Sequence, residues 1–383
     1  MDEEERDIPY FALFHFIMKN EKNNMKYFFM VFTLTVLLLS SCANNLVIDR
    51  AQILSFPPPP DTARIQFLTS FSNSVDITGK QSDFMKYVFG EDKTEEIKKP
   101  YGISILNNII YTVDIAQNAI IYMDLKEKLY DTFVPEGLGQ LKNPISCFVD
   151  KDTVLYVADS KRGQILAYDK DLNYLNSFGA DSMVAFDICV NKDKIYVPDY
   201  KNHKVHVFSK NNYKILFSFP DSEVGSEDFL FSPTFIAIQN NMIYVTDFGS
   251  FNIKKYSLTG EYISTIGSYG KMIGQFIRPK GIAVDNDGIL YVVDMGFENV
   301  QMFDSEDKLL MFFGGAYQGR GYMYMPAEIC IDYNNLEYFS KYVYGGYKLK
   351  YLIYVTNQFG PEKISVYGFV DPIENNNKDS GNK

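Results

Sequence analysis

Beyond residue 100 one pattern of apolar and polar positions returns six times. An apolar stretch, a tyrosine, a β-former and one further residue lead into Asp or Asn. It reads IIYTVD ending at Asp114, VLYVAD at Asp159, KIYVPD at Asp199, MIYVTD at Asp247, ILYVVD at Asp294 and LIYVTN at Asn357. The intervals are 45, 40, 48, 47 and 63 residues. A period in the forties with several short strands per unit predicts propeller blades and argues against a helical solenoid.

The fifth unit shows the pattern most plainly in GQFIRPKGIAVDNDGILYVVDMGFENVQMF, Gly274 to Phe303. Strand A is Gly281–Asp285, and Asn286-Asp287-Gly288 makes a turn in which glycine supplies a positive-φ hairpin position. Strand B is ILYVVD, strand C is NVQMF, and strand D is KLLMFFG ending at Gly314. Units one to four divide in the same way. Unit six has AEICID, YLIYVTN and KISVYGFV but then runs into the polar residues 371–383, which cannot form a packed strand. ARIQFLTSF, Ala63–Phe71, is a D-type strand with no blade of its own. Placed at the outer edge of blade six it closes the ring and removes a ragged edge. The expected fold is therefore all-β: a six-bladed β-propeller of four-stranded antiparallel blades over residues 61–370, its last blade completed by an N-terminal strand.

Gly-Gln-Phe-x-x-Pro-x-Gly-Ile-Ala-Val-Asp, followed by Leu-Tyr-Val-Val-Asp and Val-Gln-Met-Phe-Asp, resembles the NHL repeat of six-bladed propellers. The resemblance covers about residues 61–370.

Upstream, Tyr27–Leu39 (YFFMVFTLTVLLL) is thirteen mostly apolar residues preceded by Lys19, Lys22 and Lys26. That is the length of a signal-peptide core and short for a bilayer span. It ends in Leu39-Ser40-Ser41-Cys42, which resembles the bacterial lipobox. The resemblance implies removal of residues 1–41 and acylation of Cys42. It also implies a lipid-anchored protein of the bacterial cell envelope, on the outer membrane facing the periplasm. Residues 1–17 are acidic, unlike an n-region, so synthesis is expected to start at Met18 or Met25. Residues 42–60 read as a linker, with Pro57–Pro60 as a stiff polyproline spacer.

Composition narrows the function classes. The chain carries 29 Tyr and 31 Phe, lacks Trp and has a net charge of −11, which argues against nucleic acid as a partner. The cysteines Cys42, Cys147, Cys189 and Cys330 are too dispersed for a disulfide scaffold or zinc cluster, and the last three are expected as thiols on inner strands. Besides His15 the histidines are His203 and His206, whose spacing on one strand is poor ligand geometry.

Six carboxylate or amide side chains at Asp114, Asp159, Asp199, Asp247, Asp294 and Asn357 could suggest a calcium ring. A turn-capping role in each blade accounts for them more simply. Two segments are candidates for binding. The blade-six insertion Asn334–Tyr351 carries Tyr338, Tyr342, Tyr344 and Tyr347, read either as exposed contact surface or as a flap packed over the ring. The loop Asp221–Ser232 carries Glu223, Glu227 and Asp228 at the expected mouth of the opposite face. The expected function is non-catalytic binding of an envelope protein, peptide or glycan, with the membrane reached through Cys42 and no cofactor. Two alternatives stand: a calcium-dependent lactonase or lyase using Asp and Asn at the channel mouth, and a structural envelope component.

Overall fold

A computed structural model describes residues 54–90 and 93–373. The predicted signal segment, Cys42 and residues 374–383 lie outside the described residues. Among the described residues no helix is long and apolar enough to cross a membrane.

The chain enters through β1 (Ser55–Phe56) and β2 (Ile65–Phe71), followed by two short helices, α1 (Val75–Thr78) and α2 (Asp83–Phe89). Five four-stranded antiparallel blades follow. Their innermost strands are β3 (Pro100–Leu106), β7 (Pro144–Val149), β11 (Cys189–Asn191), β15 (Pro233–Gln239) and β19 (Pro279–Val284). The outermost strands of these blades are β6 (Leu129–Phe133), β10 (Tyr174–Phe178), β14 (Ile215–Phe219), β18 (Tyr262–Ile266) and β22 (Leu309–Gly314). The sixth blade runs from β23 (Pro326–Asp332) through β24 (Tyr347–Asn357) and β25 (Ile364–Pro372) to β2, with β1 as a short fifth strand outside. Helix α3 (Leu336–Ser340) lies in the connection between β23 and β24.

Ring closure follows the sequence expectation. Strand β2 pairs antiparallel with β25, Phe71 opposite Ile364 and Ile65 opposite Phe369. The apolar core divides into six clusters, one between each pair of neighbouring blades. This explains the near-continuous apolar B strands: each is covered on both faces, so alternation is lost. The cluster between blades six and one contains Leu68 and Phe71 from β2, Ile103 and Ile121 from blade one, and Phe339 from α3. Asn335 donates to the Asn107 carbonyl of blade one at 2.6 Å. The blade-six insertion therefore braces the seam that β2 closes.

The proline run is corrected. Pro57–Pro60 does not extend as a spacer: it turns the chain back between β1 and β2. Arg64 N–H donates to the Phe56 carbonyl at 2.8 Å and Phe67 N–H to that of Leu54 at 3.0 Å. Phe56 reaches the Phe313 ring of blade five at 6.1 Å. The β1–β2 hairpin, with Phe56 packed on blade five, overrides the local preference for polyproline II, so the domain begins before residue 61. It also extends past residue 370, because β25 ends at Pro372 and Ile373 N–H bonds the Gly346 carbonyl.

Candidate functional site

In a propeller the D–A and B–C connections share one face and the A–B and C–D connections the other. The repeated acids organise the first of these. Asp294 accepts from the N–H groups of Ile277 (2.7 Å) and Arg278 (3.0 Å) ahead of its inner strand. It also accepts from Gly296 (2.7 Å) and Phe297 (3.3 Å) in its own B–C turn. Asp114 does the same with Lys98, Lys99, Ala116 and Gln117. Asp159 holds Lys142, Asn143 and Arg162, and Asp247 holds Phe231, Ser232 and Ser250. Asp199 holds Val184, Lys201 and Asn202, and Asn357 accepts from Tyr324 N–H. All six are fully buried. In five blades the residue opposite is the proline that opens the inner strand, as in Pro279 opposite Asp294. Proline brings no N–H, so the acid takes the two N–H groups before it. Each acid thus clamps a D–A loop to a B–C turn, and N–H donors occupy the oxygens that calcium would need.

At the axis the inner strands of five blades meet in one polar cluster. Ser146 Oγ of blade two lies 2.7 Å from Asp187 Oδ1 of blade three, and 3.1 and 3.3 Å from the Glu328 oxygens of blade six. Ile103 N–H of blade one donates to Glu328 at 3.2 Å and Ile236 N–H of blade four to Asp187 at 2.9 Å. Burial pushes the Asp187 carboxyl up to about 6. Burial, with Asp187 as a like charge beside it, raises Glu328 well above the usual carboxylate range. Blades one and five supply glycine at the equivalent position. A Cβ on Gly102 would sit 2.4 Å from Ser146 Cα, and one on Gly281 2.5 Å from Glu328 Cα. Two carboxylates, one hydroxyl and two N–H donors do not fit a calcium ion, which takes six to eight oxygens. Among the described residues no group of three or more His, Cys, Asp or Glu is placed to hold a metal.

Beside this cluster Lys280 stands over a nest of rings. Its Nζ donates to Tyr101 Oη at 2.8 Å and lies 5.4, 5.9 and 5.0 Å from the ring centres of Tyr101, Phe186 and Phe248. Phe186 contacts Tyr200, and Tyr101 stacks on Phe235 at 6.1 Å. Among the described residues no carboxylate pairs with this ammonium. Burial, with Arg278 as a like charge, brings it down to about 8. Neither this lysine nor the axial acids were singled out from sequence. The available signal was their departure from the repeat: Ser146, Asp187 and Glu328 fall where blades one and five have Gly102 and Gly281.

The two faces differ in what they expose. Val134, Leu138, Tyr200, Val224, Phe231, Tyr269, Met272, Ile273, Tyr317 and Phe359 are exposed on D–A or B–C connections. On the opposite face the exposed large apolar side chains among the described residues are Tyr333 and Ile373. Glu223 and Glu227 are exposed on the D–A side and Asp228 is half-buried. The backbone of their loop is pinned from below, by Lys254 Nζ on the Glu227 carbonyl and Tyr256 Oη on that of Asp228 at 2.6 Å. The insertion tyrosines lie on the other side and are not an open patch. Tyr338, Tyr342, Tyr344 and Tyr347 are half-buried, and Tyr338, Tyr342 and Tyr347 pack on the seam cluster. Tyr347 Oη accepts from Ala63 N–H at 3.3 Å. The structure therefore brings neither the tyrosines to the acids nor either group to the axis.

His203 sits in a turn with φ +57°, ahead of its strand, and meets the Phe231 carbonyl at 2.8 Å. His206 is engaged at both nitrogens, Nε2 with Asp199 at 3.0 Å and Nδ1 with Ser218 Oγ at 2.7 Å. Burial works against the Asp199 charge, but His206 and the backbone donors hold its carboxyl below the ordinary range. Cys147, Cys189 and Cys330 are free thiols, and burial raises all three, Cys189 and Cys330 to about 12.

No family model matches the chain. A stretch of 132 residues, 33% of this chain, is 31% identical to Protein brain tumor of Drosophila melanogaster, and spans 12% of that protein's length. That likeness agrees with an NHL-like repeat. Among solved structures, a protein of unknown function from Bacteroides thetaiotaomicron is 16% identical with a TM-score of 0.58, covering 80% of this chain and 76% of that one. A gluconolactonase from Xanthomonas campestris is 14% identical with a TM-score of 0.51, covering 80% and 98%. A streptogramin B lyase is 14% identical with a TM-score of 0.50, covering 70% and 83%. At these identities the likenesses establish the fold, a six-bladed β-propeller, and the fold leaves function to the site.

Proposed function

We propose that this protein is a lipid-anchored binding propeller of the bacterial cell envelope, and that its D–A/B–C face engages a protein or peptide partner. The observation that supports this is the one-sided array of exposed apolar side chains around Tyr200, Phe231, Tyr269 and Phe359, on connections clamped by the repeat acids. Interface cores are rich in Tyr, Phe and Met. A scaffold that fixes such loops binds with little ordering cost. At the centre of the face Lys280, an ammonium with no carboxylate partner among the described residues, would receive an anionic group of the partner. Anchoring through Cys42 rests on the lipobox and its upstream apolar segment. The test is site-specific photo-crosslinking in cells. A photoreactive residue at Tyr269 or Phe359 is expected to give a discrete adduct that one at Leu310 on β22 does not.

A second reading, a lactonase or lyase, is favoured by Lys280, an amine brought toward neutral pKa, and by the fold shared with a gluconolactonase and a streptogramin B lyase. The donor set at the axis does not fit calcium, so this reading would rest on the lysine. Lactone turnover by the purified chain that disappears in Lys280→Met would establish it.

A further inference from the structure

Blade three sets a buried imidazole between a hydroxyl and a carboxylate. His206, on β13 (Lys204–Ser209), pairs across to Ser218 on β14, and Ser218 Oγ lies 2.7 Å from His206 Nδ1. His206 Nε2 lies 3.0 Å from Asp199 Oδ2 at the end of β12 (Lys194–Asp199). Asp199 is fixed in place: Asn202 Nδ2 donates to the same oxygen at 2.6 Å, and the N–H groups of Val184, Lys201 and Asn202 donate to the other. An ionised carboxylate only accepts, so Nε2 carries the hydrogen and the neutral ring leaves Nδ1 to accept from the serine. The order is nucleophile, base and the group that orients the base.

The backbone adds a donor. Ser209 N–H bonds the Lys214 carbonyl on the β14 side, and Lys210 N–H bonds the Asp193 carbonyl on the β12 side. Alternation along the strand turns the backbone of His206 toward β12 and leaves His206 and Ser218 a non-hydrogen-bonded pair. Strand β14 is the outermost of its sheet, so Ser218 N–H points out of the sheet edge. Ser218 is half-buried there, and Ile215, which shares its face through pairing with Phe208, is 50% exposed. A hydroxyl at this place is a habit of the repeat: Ser70, Thr132, Ser177 and Thr265 match it, opposite Ser365, Ile121, Leu166 and Lys254. The imidazole is the departure. In blade five Gln301 stands in its place and holds the D–A loop through Gly274 N–H and the Gln275 carbonyl, whereas His206 turns to Ser218.

We propose that Ser218, His206 and Asp199 form an acyl-transfer site on the outer wall of blade three that hydrolyses small carboxylic esters. Ser218 Oγ adds to the ester carbonyl carbon while its proton passes to His206 Nδ1. Ser218 N–H donates to the oxyanion, and Asp199 keeps Nε2–H and the ring in place. Collapse breaks the bond to the alcohol oxygen, and the alcohol leaves with the proton from Nδ1. Water then adds to the acyl-serine by the same relay and releases the acid. Ile215 offers an apolar surface for a short acyl chain. The site lies apart from the proposed binding face and from Lys280, and goes beyond both readings.

The test uses the full-length protein, a fluorophosphonate probe and p-nitrophenyl acetate. Peptide mapping is expected to place the phosphonate on Ser218 and leave Ser177 unlabelled, since Leu166 faces it at the same register. The acetate should give a burst of p-nitrophenolate stoichiometric with protein. Ser218→Ala and His206→Gln should each lower turnover about 100-fold or more. Glutamine already fills the matching place in blade five, and Ser218→Ala removes a single oxygen, so one variant tests the site if the other fails to fold. Labelling of Ser177 as readily as Ser218, or turnover that survives Ser218→Ala, would overturn the proposal. Turnover lost in Lys280→Met and kept in Ser218→Ala would belong to the lysine and overturn it too. Adducts from Tyr269 in the crosslinking experiment do not depend on any of these results, so failure here is distinguishable from failure of the binding face.

Discussion

Asp187 and Glu328, on blades three and six across the ring, meet at one hydroxyl, Ser146 Oγ. A serine has a single proton to donate, and both carboxyls lie within hydrogen-bond distance of it. For both contacts to be hydrogen bonds, one carboxyl must itself donate an O–H. Burial raises both groups, and Asp187 as a like charge adds to the rise at Glu328, consistent with a retained proton.

This sets a pH dependence. Unfolded, Asp187 releases its proton near 3.8; folded, near 6. Between those values the native state binds more protons than the unfolded one, so stability falls as pH rises through that window. The loss is on the order of 3 kcal/mol. Urea unfolding at pH 4 and pH 6.5 should show the decline in the parent, with a smaller one in Asp187→Asn.

Lys280 carries the opposite sign. Its ammonium is released near 8 in the folded state, against 10.5 for a lysine free in water. The unfolded chain therefore binds more protons between those values, and this residue's contribution makes stability rise with pH there. Competitive acetylation with peptide mapping should find Lys280 titrating near 8, and Lys280→Met should remove its part of the alkaline rise in stability.

The repeat acids act as clamps, so their loss should cost stability in every blade. Asp294→Ala strips an acceptor from four N–H groups and is expected to cost about 3 kcal/mol or more in chemical denaturation. Asp294→Asn keeps one acceptor oxygen and should cost less. Similar losses for Asp114→Ala and Asp247→Ala would mark the acids as structural.

Closure through β2 predicts an asymmetry between neighbouring substitutions. Phe71 is buried against Phe339 at 6.1 Å, so Phe71→Ala should cost about 3–5 kcal/mol. Deleting residues 65–71 leaves the outer edge of β25 unpaired and the ring unclosed, and should abolish cooperative unfolding. Removing Pro57–Pro60 frees only β1 and its Phe56–Phe313 contact, a loss of about 1–2 kcal/mol.

The blades and their closure were legible from sequence because the repeat encodes them locally: a tyrosine and an acid at fixed offsets, with turn residues between. Blade three departs from this. Without the opening proline its inner strand shortens to Cys189–Asn191, and Ala185 makes an isolated bridge to Asp199. The proline hairpin was illegible because the ring that anchors Phe56, Phe313, comes from blade five. The burial of Tyr338 and Tyr342 was equally hidden, since six aromatics in eighteen residues fit a packed flap and an open surface alike. The axial group was hidden for a different reason: its members come from separate blades, and only a ring brings Ser146, Asp187 and Glu328 together.

The central claim is that the D–A/B–C face is where this propeller meets its partner. Face-resolved photo-crosslinking in living cells tests it most directly, with photoreactive residues placed in turn at Val224, Tyr269, Phe359, Ile263 and Leu310. Discrete adducts from the first three positions, absent from Ile263 and Leu310 on the outer strands, are the predicted result. Adducts only from the outer strands, or none from any position, would contradict it.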